Sequence, residues 1–177
     1  MADVRARIKL AVERGGRGQR VKIVAVTKTH GPEAVVAASK VGLLDVGENK
    51  VQEAVAKMDR VSVPVRWHLI GHLQRNKVKW LDRFALFHAL DSARLADAVN
   101  AFAVERGNAM DVLVQVNVAG ESTKGGFSPR ELDEQAKLLA RLKGLNVRGV
   151  MTMAPLLIAF LLFQRQFVQS FMRAGIR

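Results

Sequence analysis

Short runs of β-branched and apolar residues alternate along this chain with stretches whose apolar positions recur every three to four residues. The runs at residues 21–26 (VKIVAV), 43–46 (LLDV), 66–70 (RWHLI), 85–90 (ALFHAL), 111–118 (DVLVQVNV) and 147–153 (VRGVMTM) predict six strands. A helical pattern at about residues 4–13 precedes the first, and one helical pattern fills each of the five gaps between successive strands. The first crossover opens at Gly31-Pro32, with Pro at the first helical position, and stops at Gly42. The second starts from Asn49 and carries Val51, Val55 and Met58 on one stripe. In the third, Leu73, Lys77, Leu81 and Phe84 share one side while Arg75, Lys79 and Arg83 share another. The fourth opens at Ser92 and buries Leu95, Val99 and Phe102 before Gly107. In the fifth, Ser128 is the cap, Pro129 the first helical residue and Glu131 the reciprocal capping partner, followed by Leu132, Leu139, Leu142 and Gly144.

Strands separated by helices pair in parallel, because a parallel neighbour needs a crossover long enough for a helix. The pattern therefore predicts an α/β fold with either a doubly wound open sheet or a (β/α) barrel. Six units are too few for a complete eight-unit barrel, which usually takes about 250 residues. In either closure the chemistry belongs at the carboxyl ends of the strands. Those ends carry Thr27-Lys28-Thr29-His30, Gly47-Glu48-Asn49, Gly71-His72, Asp91-Ser92, Asn117 and Thr152. Lys28 is the most pointed of them. An amine just beyond a buried strand is expected to lose hydration, which favours the neutral nucleophile of Schiff-base chemistry; the alternative is a lysine that reaches water from a strand end.

Composition narrows the classes. The 177 residues are 49% apolar and contain no Cys, which sets aside disulfide scaffolds, thiol catalysis and thiolate metal sites, and suits a reducing cytoplasm. The N-terminus lacks the apolar stretch of a signal peptide. The net charge of +12 raises nucleic acid as a partner, but the basic excess is concentrated after residue 134, where no acidic residue occurs. The row of Arg75, Lys79 and Arg83 reads as a solvated face, so nucleic acid is not the expected partner.

Other motifs carry less. His68 and His72 straddle a strand end and a Gly, without the Glu of a zinc-protease helix. In the GESTKGG stretch at 120–126 the Lys precedes its glycines, which is not a phosphate-binding loop of the Walker type. The Gly15, Gly16, Gly18 cluster precedes the first strand, so it is not a dinucleotide fingerprint. No Ser, His and Asp set has a nucleophile-elbow context.

The strand ends also match a known pattern. VAVTKTH (24–30), VGENKVQE (46–53), WHLIGHLQRNK (67–77), VNVAGESTKGGF (116–127) and GVMTMAP (149–155) closely resemble the pyridoxal phosphate homeostasis protein family of the YggS/PROSC type. The resemblance implies a single-domain barrel of the alanine-racemase type, incomplete here at about six of eight units. It implies pyridoxal 5'-phosphate (PLP) held as a Schiff base on Lys28, with Asn49 beside the cofactor and Val26 and Met151 lining its pocket. His72 and Lys124 match motif positions without an assigned role. The implied function is to buffer or deliver PLP in the cytoplasm without firm catalytic turnover, the implied recipients being PLP-dependent apo-enzymes. A racemase-like enzyme is the alternative, although the chain has no Tyr to serve as a second acid/base group.

After Pro155 the motifs cease, and the family's phosphate-binding loops and pyridine-facing Arg have no counterpart in LLIAFLLFQRQFVQSFMRAGIR. This change reads as a truncated or frame-shifted gene and divides the chain into a PLP-binding barrel portion, 1–155, and an apolar, basic tail, 156–177, expected to be helical. The apolar run 156–163 is too short to span a bilayer, for which about 20 residues are needed. The family is expected to be monomeric, with exposed barrel edges offering a route to association, and PLP affinity is expected to be weaker than in a complete relative.

Overall fold

Helix stripes and strand runs assemble into one parallel sheet in the computed structural model, which describes residues 1–118, 120 and 125–153. In chain order the elements are α1 (Ala2–Gly15), β1 (Ala25–Val26), α2 (Pro32–Lys40), β2 (Asp45–Glu48), α3 (Val51–Met58), β3 (Arg66–Leu69), a 3-10 helix (Arg75–Arg83), β4 (Leu86–Leu90), α4 (Ala93–Arg106), β5 (Met110–Gln115), α5 (Pro129–Leu139) and β6 (Leu145–Met151). Lys124 and the proposed tail fall outside the described residues.

The sheet order is β1-β2-β3-β4-β5-β6, every pair parallel. A doubly wound sheet reverses its strand order at a switch point. Here each strand is laid beside its predecessor in a single sense, which is the winding of a (β/α) barrel. The structure thus decides between the two closures that periodicity left open.

Local grammar accounts for the boundaries. Ser128 Oγ accepts from Glu131 N–H while the Glu131 carboxylate accepts from Ser128 N–H, completing the capping box of α5. Ser92 caps α4 through Leu95 N–H, and Gly107 ends it in the left-handed region that glycine tolerates. Two expectations are corrected. β1 is confined to Ala25–Val26, since this edge strand has a ladder partner on only one side; residues 21–24 are not strand. The third crossover is a 3-10 helix rather than an α-helix. Its buried residues Val78 and Leu81, with Phe84 after it, recur every three positions, the period that lines up on a 3-10 helix, so Val78 replaces Lys77 on the packed side.

The core lies between the sheet and the crossovers. Leu69, Phe87, Val112 and Val114 from the strands pack with Val51 and Ala54 of α3, Val78 and Leu81, and Leu95 and Val99 of α4. The helix α1 buries no residue, and Val147 and Val150 of the edge strand β6 are exposed. No helix among the described residues is long and apolar enough to cross a membrane.

Candidate functional site

All six strands run in one direction, so the carboxyl ends meet along one rim of the sheet. Lys28 stands there in a turn just after β1, and Asn49 just after β2. His72 follows β3, and its Nδ1 lies 2.6 Å from Asp91 Oδ2, just after β4. Asn117 follows β5 and receives the loop back through Phe127, whose carbonyl accepts from Asn117 N–H at 2.9 Å.

The expected lysine is at the rim, but its environment differs from the expectation. Lys28 is exposed among the described residues, and Val26 before it is 50% exposed. The strand ahead of Lys28 is an edge strand, so it offers no apolar enclosure to strip the amine of water. The desolvation argument for its nucleophilicity therefore fails within these residues. Val26 and Met151, both expected to line one pocket, sit on β1 and β6, the two edges of the sheet, with four strands between them in ladder order.

What surrounds Lys28 instead is a polar scaffold that the sequence reading missed. Lys57 of α3 is buried, at 5% exposure, and its three N–H donors meet three acceptors: Thr27 O at 2.7 Å, Glu48 Oε1 at 2.8 Å and Glu53 Oε1 at 3.1 Å. Glu48 is fully buried; its Oε1 also accepts from Thr27 Oγ1 at 2.6 Å, and its Oε2 has no hydrogen-bond partner among the described residues. Glu53 Oε1 accepts from Thr29 N–H at 2.7 Å. That backbone contact, and next the Lys57 ammonium, hold the Glu53 carboxyl below its ordinary range. A signal existed: Lys57 lies three residues after Ala54 and six after Val51, on the stripe that α3 buries.

Asn49 is seated against β3 by a glycine. A Cβ on Gly71 would come within 2.3 Å of Asn49 O and 2.4 Å of Asn49 Oδ1. We expect Gly71→Ala to displace Asn49, costing about 1–3 kcal/mol of stability and weakening binding at the rim. Thermal unfolding and ligand titration of the variant check both effects.

A second polar group lies further down the strands, on the face opposite Leu69 and Phe87. Asp45 receives Arg66 through two contacts, at 2.8 and 2.6 Å, and His68 Nε2 at 2.8 Å; His68 Nδ1 is 2.9 Å from His88 Nε2. The Arg66 guanidinium foremost, then His68 and Lys22, hold the Asp45 carboxyl well below the usual carboxylate range against its burial. Burial first, then the neighbouring His68, pushes the His88 imidazole down to about 4. His68 and His72, considered together as a pair in the sequence, therefore face different partners.

The His88 shift carries a signed consequence. Its folded value lies below the ordinary 6.5, so the unfolded chain binds the proton more readily as acid is added. Its contribution is complete above about pH 6.5 and is lost as the pH falls through about 4. We expect on the order of 1–2 kcal/mol of stability lost over that window, discounted for partial solvent access, and a flatter profile in His88→Phe. Urea unfolding at stepped pH measures it.

With this singly wound parallel sheet in view, the chain matches the family model of the alanine racemase N-terminal domain over residues 1–171. Within that class the chain belongs to the pyridoxal phosphate homeostasis protein family. It is 40% identical over 160 residues to the pyridoxal phosphate homeostasis protein of Aquifex aeolicus, covering 89% of this chain and 70% of that one. With the protein of that name from Pasteurella multocida it shares 35% identity over 156 residues, 85% of this chain and 67% of the relative. Among solved structures, PipY of Synechococcus elongatus with PLP bound superposes at a TM-score of 0.75 with 32% identity, over 90% of this chain and 76% of PipY. An alanine racemase of Clostridium difficile, 17% identical with a TM-score of 0.65 over 84% of this chain and 40% of the racemase, shares the fold.

Proposed function

We propose that this protein binds pyridoxal 5'-phosphate at the strand-end rim through Lys28 and holds it for buffering or delivery to PLP-dependent apo-enzymes. The observation that carries the reading is the Lys28 amine at the end of the first strand, in a chain that shares fold and family with a relative solved with PLP bound. When bound, PLP supplies an aldehyde that condenses with a primary amine, with loss of water. The donor set at this end of the rim suits that group. Lys28 offers a primary amine open to solvent, Asn49 an amide seated by the bare face of Gly71, and His72 an imidazole oriented by Asp91. Lys57, by contrast, has every N–H donor engaged and is withdrawn from such chemistry.

Val26 and Met151 belong to the proposal as apolar flanks of the cofactor, from the two edge strands. The carrier reading has no role for catalytic turnover, whereas a racemase would exchange the α-proton of an amino acid. The test is incubation with PLP, borohydride reduction and peptide mapping, alongside amino-acid α-proton exchange in D₂O. Label concentrated on the peptide containing Lys28, without exchange, is the expected result. Scattered label in a folded chain overturns the site, and amino-acid-dependent exchange overturns the carrier role in favour of an enzyme.

A further inference from the structure

The two peptide groups that flank Lys28 are both gripped by one helix. The carbonyl of the first, Thr27 C=O, accepts from Lys57 Nζ at 2.7 Å, and the N–H of the second, on Thr29, donates to Glu53 Oε1 at 2.7 Å. Lys57 and Glu53 are themselves paired at 3.1 Å, one turn apart on α3. The fully buried Glu48 anchors the pair from β2 through Lys57 Nζ and the Thr27 hydroxyl.

A turn held this way has little freedom at Lys28. Thr29 sits at φ 66°, in the left-handed region that a β-branched residue rarely occupies, and Thr29 Oγ1 donates to Lys28 O at 2.6 Å. Such a conformation persists only when its surroundings determine it. A charged carboxylate on the Thr29 amide and an ammonium on the Thr27 carbonyl are the strong, charge-assisted kind of contact that can do so. Both come from α3, while the lysine they flank emerges from β1.

Resting on the reading of Lys28 as the PLP-binding lysine, we propose that the Lys57–Glu53 pair is a positioning device that fixes the direction in which Lys28 leaves β1. Neither residue needs to touch the cofactor. The device works through backbone: it sets the peptide planes on both sides of the Lys28 Cα, so that the amine is delivered to one place on the rim and little of the binding energy is spent on ordering the turn. The ordinary alternative is that the network only fastens α3 to the sheet.

The two roles separate at Glu53, which is half-buried; replacing the buried Lys57 would leave Glu48 unpaired and disturb the fold itself. Glu53→Ala removes the acceptor for Thr29 N–H, and Glu53→Gln restores an acceptor oxygen without the charge. Three quantities are measured for each: PLP affinity by absorbance titration, the borohydride-trapped fraction on Lys28, and, without PLP, the Thr29 amide resonance. Thermal unfolding is followed in parallel. We expect Glu53→Ala to stay folded, to weaken PLP binding about ten-fold, because ordering the released turn would then oppose binding, and to shift the Thr29 amide upfield. Glu53→Gln should recover most of both. Affinity and trapping in Glu53→Ala that match the unsubstituted chain, or a Gln variant as weak as the Ala variant, overturn the proposal. Failure of the unsubstituted chain to label Lys28 overturns the cofactor reading and this inference with it, and is recognised because it appears without any substitution.

Discussion

Lys28→Ala is expected to abolish borohydride-stable attachment of PLP at the strand-end rim and to lower PLP affinity about a hundred-fold, equivalent to ~2.7 kcal/mol. The reason is chemical before it is structural. PLP, when bound, would supply an aldehyde for which Lys28 would provide the primary amine, and borohydride would make that attachment permanent. Methyl at position 28 removes the nucleophile, while the backbone grip through Thr27 O and Thr29 N–H needs no side chain at 28 and is retained. Lys28→Arg sharpens the result, because a guanidinium keeps the charge yet stays protonated and cannot add. Two other lysines border the same turn. Lys57 is tied to three acceptors, whereas Lys50, ahead of α3, is exposed and is the competitor that peptide mapping must separate from Lys28. Attachment that persists undiminished in both variants would remove Lys28 from the site.

Phe87→Ala is expected to cost about 3–5 kcal/mol of folding stability, out of a total that for a domain is about 5–15 kcal/mol. Phe87 lies in β4, has no exposed surface, and packs within the larger apolar cluster of the described residues, between the strands and the helical crossovers. Its ring cannot be replaced by collapse from both sides, since β4 is held by ladders to β3 and β5. The expected readout is a urea midpoint shifted far toward zero, or loss of the cooperative transition. Val104→Ala is the matched control: Val104 is on α4 but 56% exposed, and its truncation should change stability by no more than about 0.5 kcal/mol. Equal midpoints for the two variants would contradict a core built around Phe87.

Much of this architecture is local and was legible in the chain. The Ser128, Pro129 and Glu131 grammar predicts the start of α5 because a capping box is made by residues three apart. The α4 boundaries follow from Ser92 and Gly107 for the same reason. The third crossover was misread because Leu81 and Phe84 suit both a 3.6-residue and a 3.0-residue repeat, and only the burial of Val78 distinguishes them. At the rim, the position of Lys28 was legible but its exposure was not. An edge strand and a central strand share the same run of apolar letters, VKIVAV, and which of the two it becomes depends on neighbours elsewhere in the chain.

By itself, then, the sequence determined the alternation of strands and helices, the parallel pairing that alternation compels, and the set of polar residues that would end each strand, Lys28 and Asn49 among them. Each of these depends on the period of apolar positions or on caps within a single turn of chain. The tertiary structure alone decided the strand order, which chose barrel winding over a doubly wound sheet. It alone brought Lys57 to Thr27, thirty residues away, and His68 between Asp45 and His88, more than twenty residues from the first and twenty from the second. Those contacts depend on which strand lies beside which and in what register. Register is fixed only when the whole apolar face is buried together, because a shift of one residue would turn every side chain of a strand to the other face.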